Sequence, residues 1–243
     1  SGKKVVLLGL GVSHKPLLPL LLEHGAKVRV CDKKSREELG ETAEKYSALG
    51  VEFCLGEEYL SGLEGDILFK TPGMRTDRPE IRAFAGRGGV VTSEMEMFFE
   101  LCPCPVIAVT GSDGKSTTTT LISKFLEAEG FRCHLGGNIG RPLLPDIFQI
   151  EPNDYAVVEL SSFQLHTMKK SPKIAVITNI APNHLDWHTS MDEYVDAKKN
   201  IFRYQDSSCR LTLNADNEIL SPFIAEAKGE VNGVLILHIH EII

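Results

Sequence analysis

Short apolar runs alternate with helix-length mixed segments along this chain, and the alternation restarts once. Lys3 to Leu8 is an apolar run that ends in Gly9-Leu10-Gly11. Leu17 to Glu23 predicts a helix stopped by Gly25. Lys27 to Cys31 alternates with the period of a strand and ends at Asp32. A polar helix is expected over about 35–49, ahead of Gly50, and short strands over 66–70 and 90–92, with a turn at Thr71-Pro72-Gly73. Strands separated by helix-length segments argue for βαβ units and a parallel sheet.

After Cys102-Pro103-Cys104-Pro105, which reads as a linker, the pattern begins again. Val106 to Thr110 is the first strand. A helix is expected over about 116–129, with Leu121, Ile122, Phe125 and Leu126 sharing its apolar face and Gly130 ending it. Strands over 155–160 and 173–178 follow. Ser190-Met191-Asp192-Glu193 has the spacing of a capping box and starts a helix running to about Tyr204. The tail, Val234 to His240, reads as one more strand. His238 and His240 share a face there, which an ordinary strand explains better than a metal site.

The fold class is therefore α/β in two parts, a Rossmann-like domain over 1–93 and a nucleotide-binding domain over 94–243. The 243 residues, 42% hydrophobic, are enough for two modest cores. A net charge of -7 argues against a general nucleic-acid surface, so an anionic ligand needs a locally positive site. No apolar run approaches membrane-spanning length. The six cysteines show neither zinc nor disulfide spacing, and reduced thiols fit a cytoplasmic protein.

The segment with the clearest chemistry is Thr110-Gly111-Ser112-Asp113-Gly114-Lys115-Ser116-Thr117, set between a strand and a helix. Glycines let backbone N–H groups curl toward phosphate oxygens, and the helix N-terminus adds partial positive charge. Lys115 supplies a full charge, and the Ser116 hydroxyl suits Mg²⁺. Val109 stands where the first glycine of the full phosphate-loop pattern belongs. Downstream, Glu159 ends a strand where a carboxylate can reach a metal beside Ser116. His184, in Asn183-His184-Leu185-Asp186, is a candidate ligand for a second metal.

In this order the residues resemble the Mur ligase family, which joins amino acids to UDP-linked muramoyl peptides. The resemblance is carried by Thr110 to Thr117, Gly137-Asn138-Ile139-Gly140, Glu159, Asn183 to Asp186 and Leu213-Asn214-Ala215-Asp216, and covers about 3–217. The stretch Glu159-Leu160-Ser161-Ser162-Phe163-Gln164-Leu165 is similar to that of the D-glutamate-adding member. The resemblance implies an ATP- and Mg²⁺-dependent amide ligase of peptidoglycan synthesis. Its substrates would be UDP-N-acetylmuramoyl-L-alanine, activated as an acyl phosphate, and D-glutamate. It implies nucleotide contacts from Gly111 to Thr117 and Asn179, metal support from Ser116, Glu159, His184 and Lys198, and catalytic roles for Lys115, His184 and Lys198. Lys198, in Tyr194-Val195-Asp196-Ala197-Lys198, stands where the family carbamylates a lysine; Lys199 is its decoy. Asn138, Ser161 and Gln164 would contact the muramoyl-alanine end.

Gly9-Leu10-Gly11-Val12-Ser13-His14 reads as a dinucleotide fingerprint with His14 in place of the third glycine, and Asp32 ends the next strand. A nicotinamide-dependent oxidoreductase has the same opening. The resemblance instead implies UDP-sugar binding, with Ser13, His14, Asp32, Lys33, Thr71, Pro72 and Gly73 around the ligand. Family members continue into a third, C-terminal domain that this sequence lacks, so a monomeric form that binds ligands but ligates weakly is expected. A Mur-type ligase for another amino acid, and a nucleotide-binding module without ligase chemistry, remain the alternatives.

Overall fold

The computed structural model describes residues 2–183 and 186–234. His184 and the expected strand beyond Val234, with His238 and His240, lie outside the described residues. The chain forms two compact units, Ser1–Phe98 and Phe99–Ile243.

The first unit is a five-stranded, all-parallel sheet. Its elements are β1 (Lys4–Leu8), α1 (Leu17–Glu23), β2 (Lys27–Asp32), α2 (Arg36–Leu39), α3 (Glu41–Ala48), β3 (Glu52–Leu55), β4 (Ile67–Phe69), α4 (Pro79–Gly86) and β5 (Val90–Thr92). The strand order is β3-β2-β1-β4-β5. The chain thus leaves β1 to one side and returns to the other, which places a crevice beyond the carboxyl end of β1. Strands buried on both faces need continuous apolar runs, and Val5 to Leu8 are all buried. Val6, Leu8 and Leu68 pack with Ile81 and Phe84 of α4. Burying each such side chain contributes roughly 1.5–3 kcal/mol.

The helix expected over 35–49 is two helices. Gly40 adopts φ 50°, ψ -135°, which no helix accommodates, and α2 closes on it while α3 starts from it. Ser35 caps α2 in a full capping box with Glu38.

The second unit opens within α5 (Glu94–Leu101) and continues through β6 (Val106–Thr110), α6 (Lys115–Ala128), β7 (Cys133–Gly137), β8 (Tyr155–Glu159), α7 (Ser162–Leu165), β9 (Ile174–Ile177), α8 (Met191–Arg203), β10 (Arg210–Asn214), α9 (Ser221–Glu226) and β11 (Glu230–Val234). The six strands are parallel, in the order β11-β10-β9-β6-β8-β7. Central β6 is buried along its whole length. The loop after it emerges where the sheet order reverses.

The apolar face expected on α6 is buried only along one edge, where Ile122 and Leu126 are half-buried. Leu121 is 50% and Phe125 68% exposed, and the buried positions are Thr119 and Ser123. Small hydroxyl side chains let α6 lie close to the strands, and Thr119 Oγ1 returns its hydrogen bond to the Lys115 carbonyl 2.7 Å away.

Candidate functional site

In the second unit the chemistry gathers at the carboxyl end of β6. Gly111 carries φ +152°, and a Cβ there would lie 1.9 Å from Thr178 Oγ1. Only glycine lets the loop pass this close to β9. Thr178 Oγ1 donates to the Asp113 carbonyl at 2.6 Å, and Asn179 Oδ1 accepts from the Ser112 and Asp113 amides at 3.1 and 2.9 Å. Asn179 thus shapes the loop through its own amides. The N–H groups of the first turn of α6, Lys115 to Thr117, have no intrahelical acceptor. Lys115 Nζ rests on the Ser112 carbonyl at 2.8 Å, which a phosphate would have to displace.

Ser116 Oγ donates to Glu159 Oε2 at 2.6 Å, and Asn138 Nδ2 donates to the other oxygen, Oε1, at 2.8 Å. The Asn138 amide also bonds the Glu159 carbonyl at 2.9 Å. This requires β7 to end tightly against β8: a Cβ on Gly137 would lie 2.2 Å from the Glu159 carbonyl oxygen. Glu159 is buried, so its carboxylate is oriented from both sides. A hydroxyl and a carboxylate oxygen so close together are hard donors of the kind Mg²⁺ prefers. No cluster of three or more His, Cys, Asp or Glu suited to a metal occurs among the described residues.

Helix α8 brings two more groups to the loop. Tyr194 and Lys198 are one turn apart on one face. The Tyr194 hydroxyl lies 2.9 Å from Ser112 Oγ, and Lys198 Nζ donates to the Gly111 carbonyl at 2.8 Å and to Thr110 Oγ1 at 3.2 Å. Lys198 is 1% exposed. Burial, reinforced by the positive charge of Lys115, pushes its amine down to about 7, against a partial offset from Glu159. A half-neutral amine beside a phosphate loop is a nucleophile as well as a cation. Ser190 caps the helix by accepting from the Glu193 amide at 3.1 Å, whereas the Glu193 carboxylate reaches the Thr189 amide and hydroxyl.

Ser161 and Gln164 cap α7 on each other: Gln164 Oε1 accepts from the Ser161 amide at 2.9 Å, and Ser161 Oγ from the Gln164 amide at 3.2 Å. His188 Nε2 lies 2.9 Å from Ser162 Oγ, and Phe163 stacks on the His188 ring. Thr117 is exposed on α6. The sequence reading assigned no role to Thr178 or His188. A Thr-Asn pair at the carboxyl end of β9, beside the phosphate-loop strand, is the signal that points to Thr178.

In the first unit, the carboxyl ends of β1, β2 and β4 meet. Asp32 Oδ2 accepts from the Leu10 amide at 2.6 Å and Oδ1 from the Lys34 amide at 2.9 Å, so this carboxylate organises the loop after β1. His14, 1% exposed, bonds the Gly9 carbonyl through Nδ1 at 2.8 Å and sets its ring edge-on to Phe69. Burial holds it below the usual histidine range. Both side chains are held within the protein. Thr71 lies against Gly9 and accepts a turn hydrogen bond from Met74. Gly73 and Lys33 are exposed, while Ser13 and Pro72 are half-buried.

The family model described as Mur ligase middle domain matches residues 109–240. The chain is 57% identical over 232 residues to the UDP-N-acetylmuramoylalanine--D-glutamate ligase of Acetivibrio thermocellus, covering 95% of this chain and 50% of that protein. It is 53% identical to the ligase of the same name from Ruminiclostridium cellulolyticum, again over 95% and 50%. It therefore spans about half the length of these curated relatives. Among solved structures, the UDP-N-acetylmuramate:L-alanyl-gamma-D-glutamyl-meso-diaminopimelate ligase of Neisseria meningitides superposes with a TM-score of 0.63 at 18% identity, over 96% of this chain and 78% of that one.

Proposed function

This chain belongs to the Mur ligase family, and we propose that it is the UDP-sugar- and nucleotide-binding part of an enzyme that adds D-glutamate to UDP-N-acetylmuramoyl-L-alanine using ATP. The observation that carries this reading is the convergence on one loop of Lys115, the Ser116–Glu159 pair and the Lys198 amine. The choice of D-glutamate rests on the names of the relatives that share half or more of their aligned residues with this chain.

A carboxylate is a poor acyl donor, so the alanyl carboxylate is first phosphorylated by ATP, and the D-glutamate amine then displaces phosphate to form the amide. The first turn of α6 offers its free N–H groups to the nucleotide phosphates, and Lys115 moves from the Ser112 carbonyl to the outer ones. Ser116 and Glu159 are the residues that would hold Mg²⁺, with Asn138 fixing the carboxylate. When bound, the metal supplies positive charge against the crowded phosphate and carboxylate oxygens. His184 is proposed as a second ligand on the resemblance alone. Near neutral pH the Lys198 amine is available in its neutral form to take up carbon dioxide, and the resulting carbamate is an anion. That converts a cation facing Lys115 into a group that favours both Lys115 and a metal. The first unit is proposed to bind the UDP end, with Asp32 and His14 shaping the loop after β1 while the exposed Lys33, Gly73 and neighbouring Thr71 meet ligand. The cytoplasm is the proposed location; no helix among the described residues is long and apolar enough to cross a membrane.

The test is amide formation in a protein of the relatives' full length, with UDP-N-acetylmuramoyl-L-alanine and ATP and with D-glutamate, L-alanine or diaminopimelate as acceptor. Product with D-glutamate alone is expected. Product with another amino acid, and none with D-glutamate, would sink the assignment.

A further inference from the structure

Cys102 and Cys104 lie between α5 and β6, apart from the groups that meet at the phosphate loop. Their sulfurs are 3.6 Å apart. Pro103 and Pro105 fix φ at alternate positions of the segment, so little conformational entropy separates this arrangement from a closed ring. The Pro105 carbonyl is pinned by the Ala156 amide at 3.1 Å, and Cys104 itself is buried at 6% exposure. Cys102 is half-buried and Cys104 buried, so Cys102 is the more accessible residue of the pair. That is the arrangement of an attacking and a resolving thiol.

We infer that Cys102 and Cys104 are a redox-modification site, at which a peroxide oxidises the pair to an intrachain disulfide. The Cys102 thiolate attacks one peroxide oxygen and breaks the O–O bond. This gives a Cys102 sulfenic acid and, with one proton, water or an alcohol. The Cys104 thiol then attacks the Cys102 sulfur, the S–O bond breaks, and the Cys104 proton leaves with the hydroxyl as a second water. Two thiols are oxidised by two electrons and one peroxide is reduced. A ring closed across a single residue is strained, which places it among the readily reduced, reversible disulfides.

The surroundings favour Cys102 as the attacking sulfur. A hydrogen bond from the Cys104 thiol, with help from the Cys104 backbone and the charge of Lys170, outweighs burial and holds Cys102 below the usual thiol range, while Cys104 is pushed up. A larger share of Cys102 than of an ordinary thiol is therefore thiolate at neutral pH, and its lower intrinsic nucleophilicity offsets part of that gain. The other neighbouring pair is an internal control. Cys31 stands opposite Cys54 on β2 and β3, and burial pushes Cys31 up to about 12, so it stays a thiol.

The experiment treats the full chain with hydrogen peroxide near neutral pH, blocks remaining thiols with N-ethylmaleimide after unfolding, and maps them by mass. The peptide holding both Cys102 and Cys104 is expected to lose two hydrogens and take no label, with Cys31 still labelled, and dithiothreitol restores labelling. In C104S the reaction stops at a sulfenic acid that dimedone traps on Cys102. Unmodified protein carries the decisive result, so a variant that fails to fold does not blunt the test. Over-oxidised Cys102 beside a labelled Cys104, or a pair still fully labelled after Cys133 and Cys209 have oxidised, would overturn the proposal.

Discussion

Replacing Lys198 with methionine keeps an unbranched buried side chain, one atom shorter, and removes the titrating amine. The native amine sits at about 7 against 10.5 for an unstructured lysine. Across that interval the unfolded chain binds more protons than the native one, so stability must rise with pH. Below about 7 both states are protonated, the cost of burying the charge is complete, and this group adds no further slope. Between about pH 7 and about pH 9 the two binding curves give a gain of about 2 kcal/mol from Lys198 alone. Other groups titrate in the same window, Cys102 among them, so the quantity to measure is the difference between wild type and K198M. Urea unfolding at both pH values, with carbon dioxide excluded and a chelator present, reads it directly. Wild type is expected to gain about 2 kcal/mol more than the variant. Equal gains in the two proteins would refute the claim that the native amine titrates near neutrality. Carbon dioxide gives a second arm: its addition adds an acid-labile carbamate mass to Lys198 in wild type and leaves K198M unchanged.

Three further substitutions probe the same geometry. G111A puts a methyl group 1.9 Å from Thr178 Oγ1 at a backbone angle suited to glycine, and is expected to lower unfolding free energy by about 2–4 kcal/mol in urea titration. N138A releases Glu159 Oε1 without touching the Ser116 contact, so the Mg²⁺ concentration for half-maximal nucleotide binding should rise about tenfold in calorimetry, with a loss of about 1–3 kcal/mol in stability from the buried carboxylate oxygen left unpaired. D32N removes the charge that holds the Leu10 and Lys34 amides and is expected to destabilise the first unit by about 2 kcal/mol, read by hydrogen exchange at the loop after β1.

How much of this was legible in the sequence follows from where each signal resides. The strand, loop and helix over 106–128 could be read because glycine, lysine and serine spacing is a local requirement of phosphate binding. The start of α8 could be read because a cap closes within four residues. The break at Gly40 was missed because the helix formers on either side outvote a single glycine whose backbone angles a sequence does not reveal. The α6 stripe is only half buried, at Ile122 and Leu126, because periodicity locates an apolar face but not how far it turns toward the sheet. Here Thr119 and Ser123 win by allowing close approach. Edge strand β3 is short with no buried residue, and β7 alternates in burial but places His134 and Gly136 at its buried positions, so neither shows an apolar alternation in sequence. Asn179 is a nucleotide contact only as the family resemblance implies it. That its side chain holds the loop amides depends on a partner sixty-seven residues away. The same holds for His14, whose burial and bond to Gly9 are properties of the folded turn rather than of the fingerprint.

The measurement that bears most directly on the central claim is calorimetric binding of UDP-N-acetylmuramoyl-L-alanine to this chain, beside the same compound lacking alanine and beside NADH. A ligase of the proposed kind binds the alanyl compound, discriminates against the one without alanine, and ignores NADH. Binding of NADH with no preference for the alanyl compound would contradict the account.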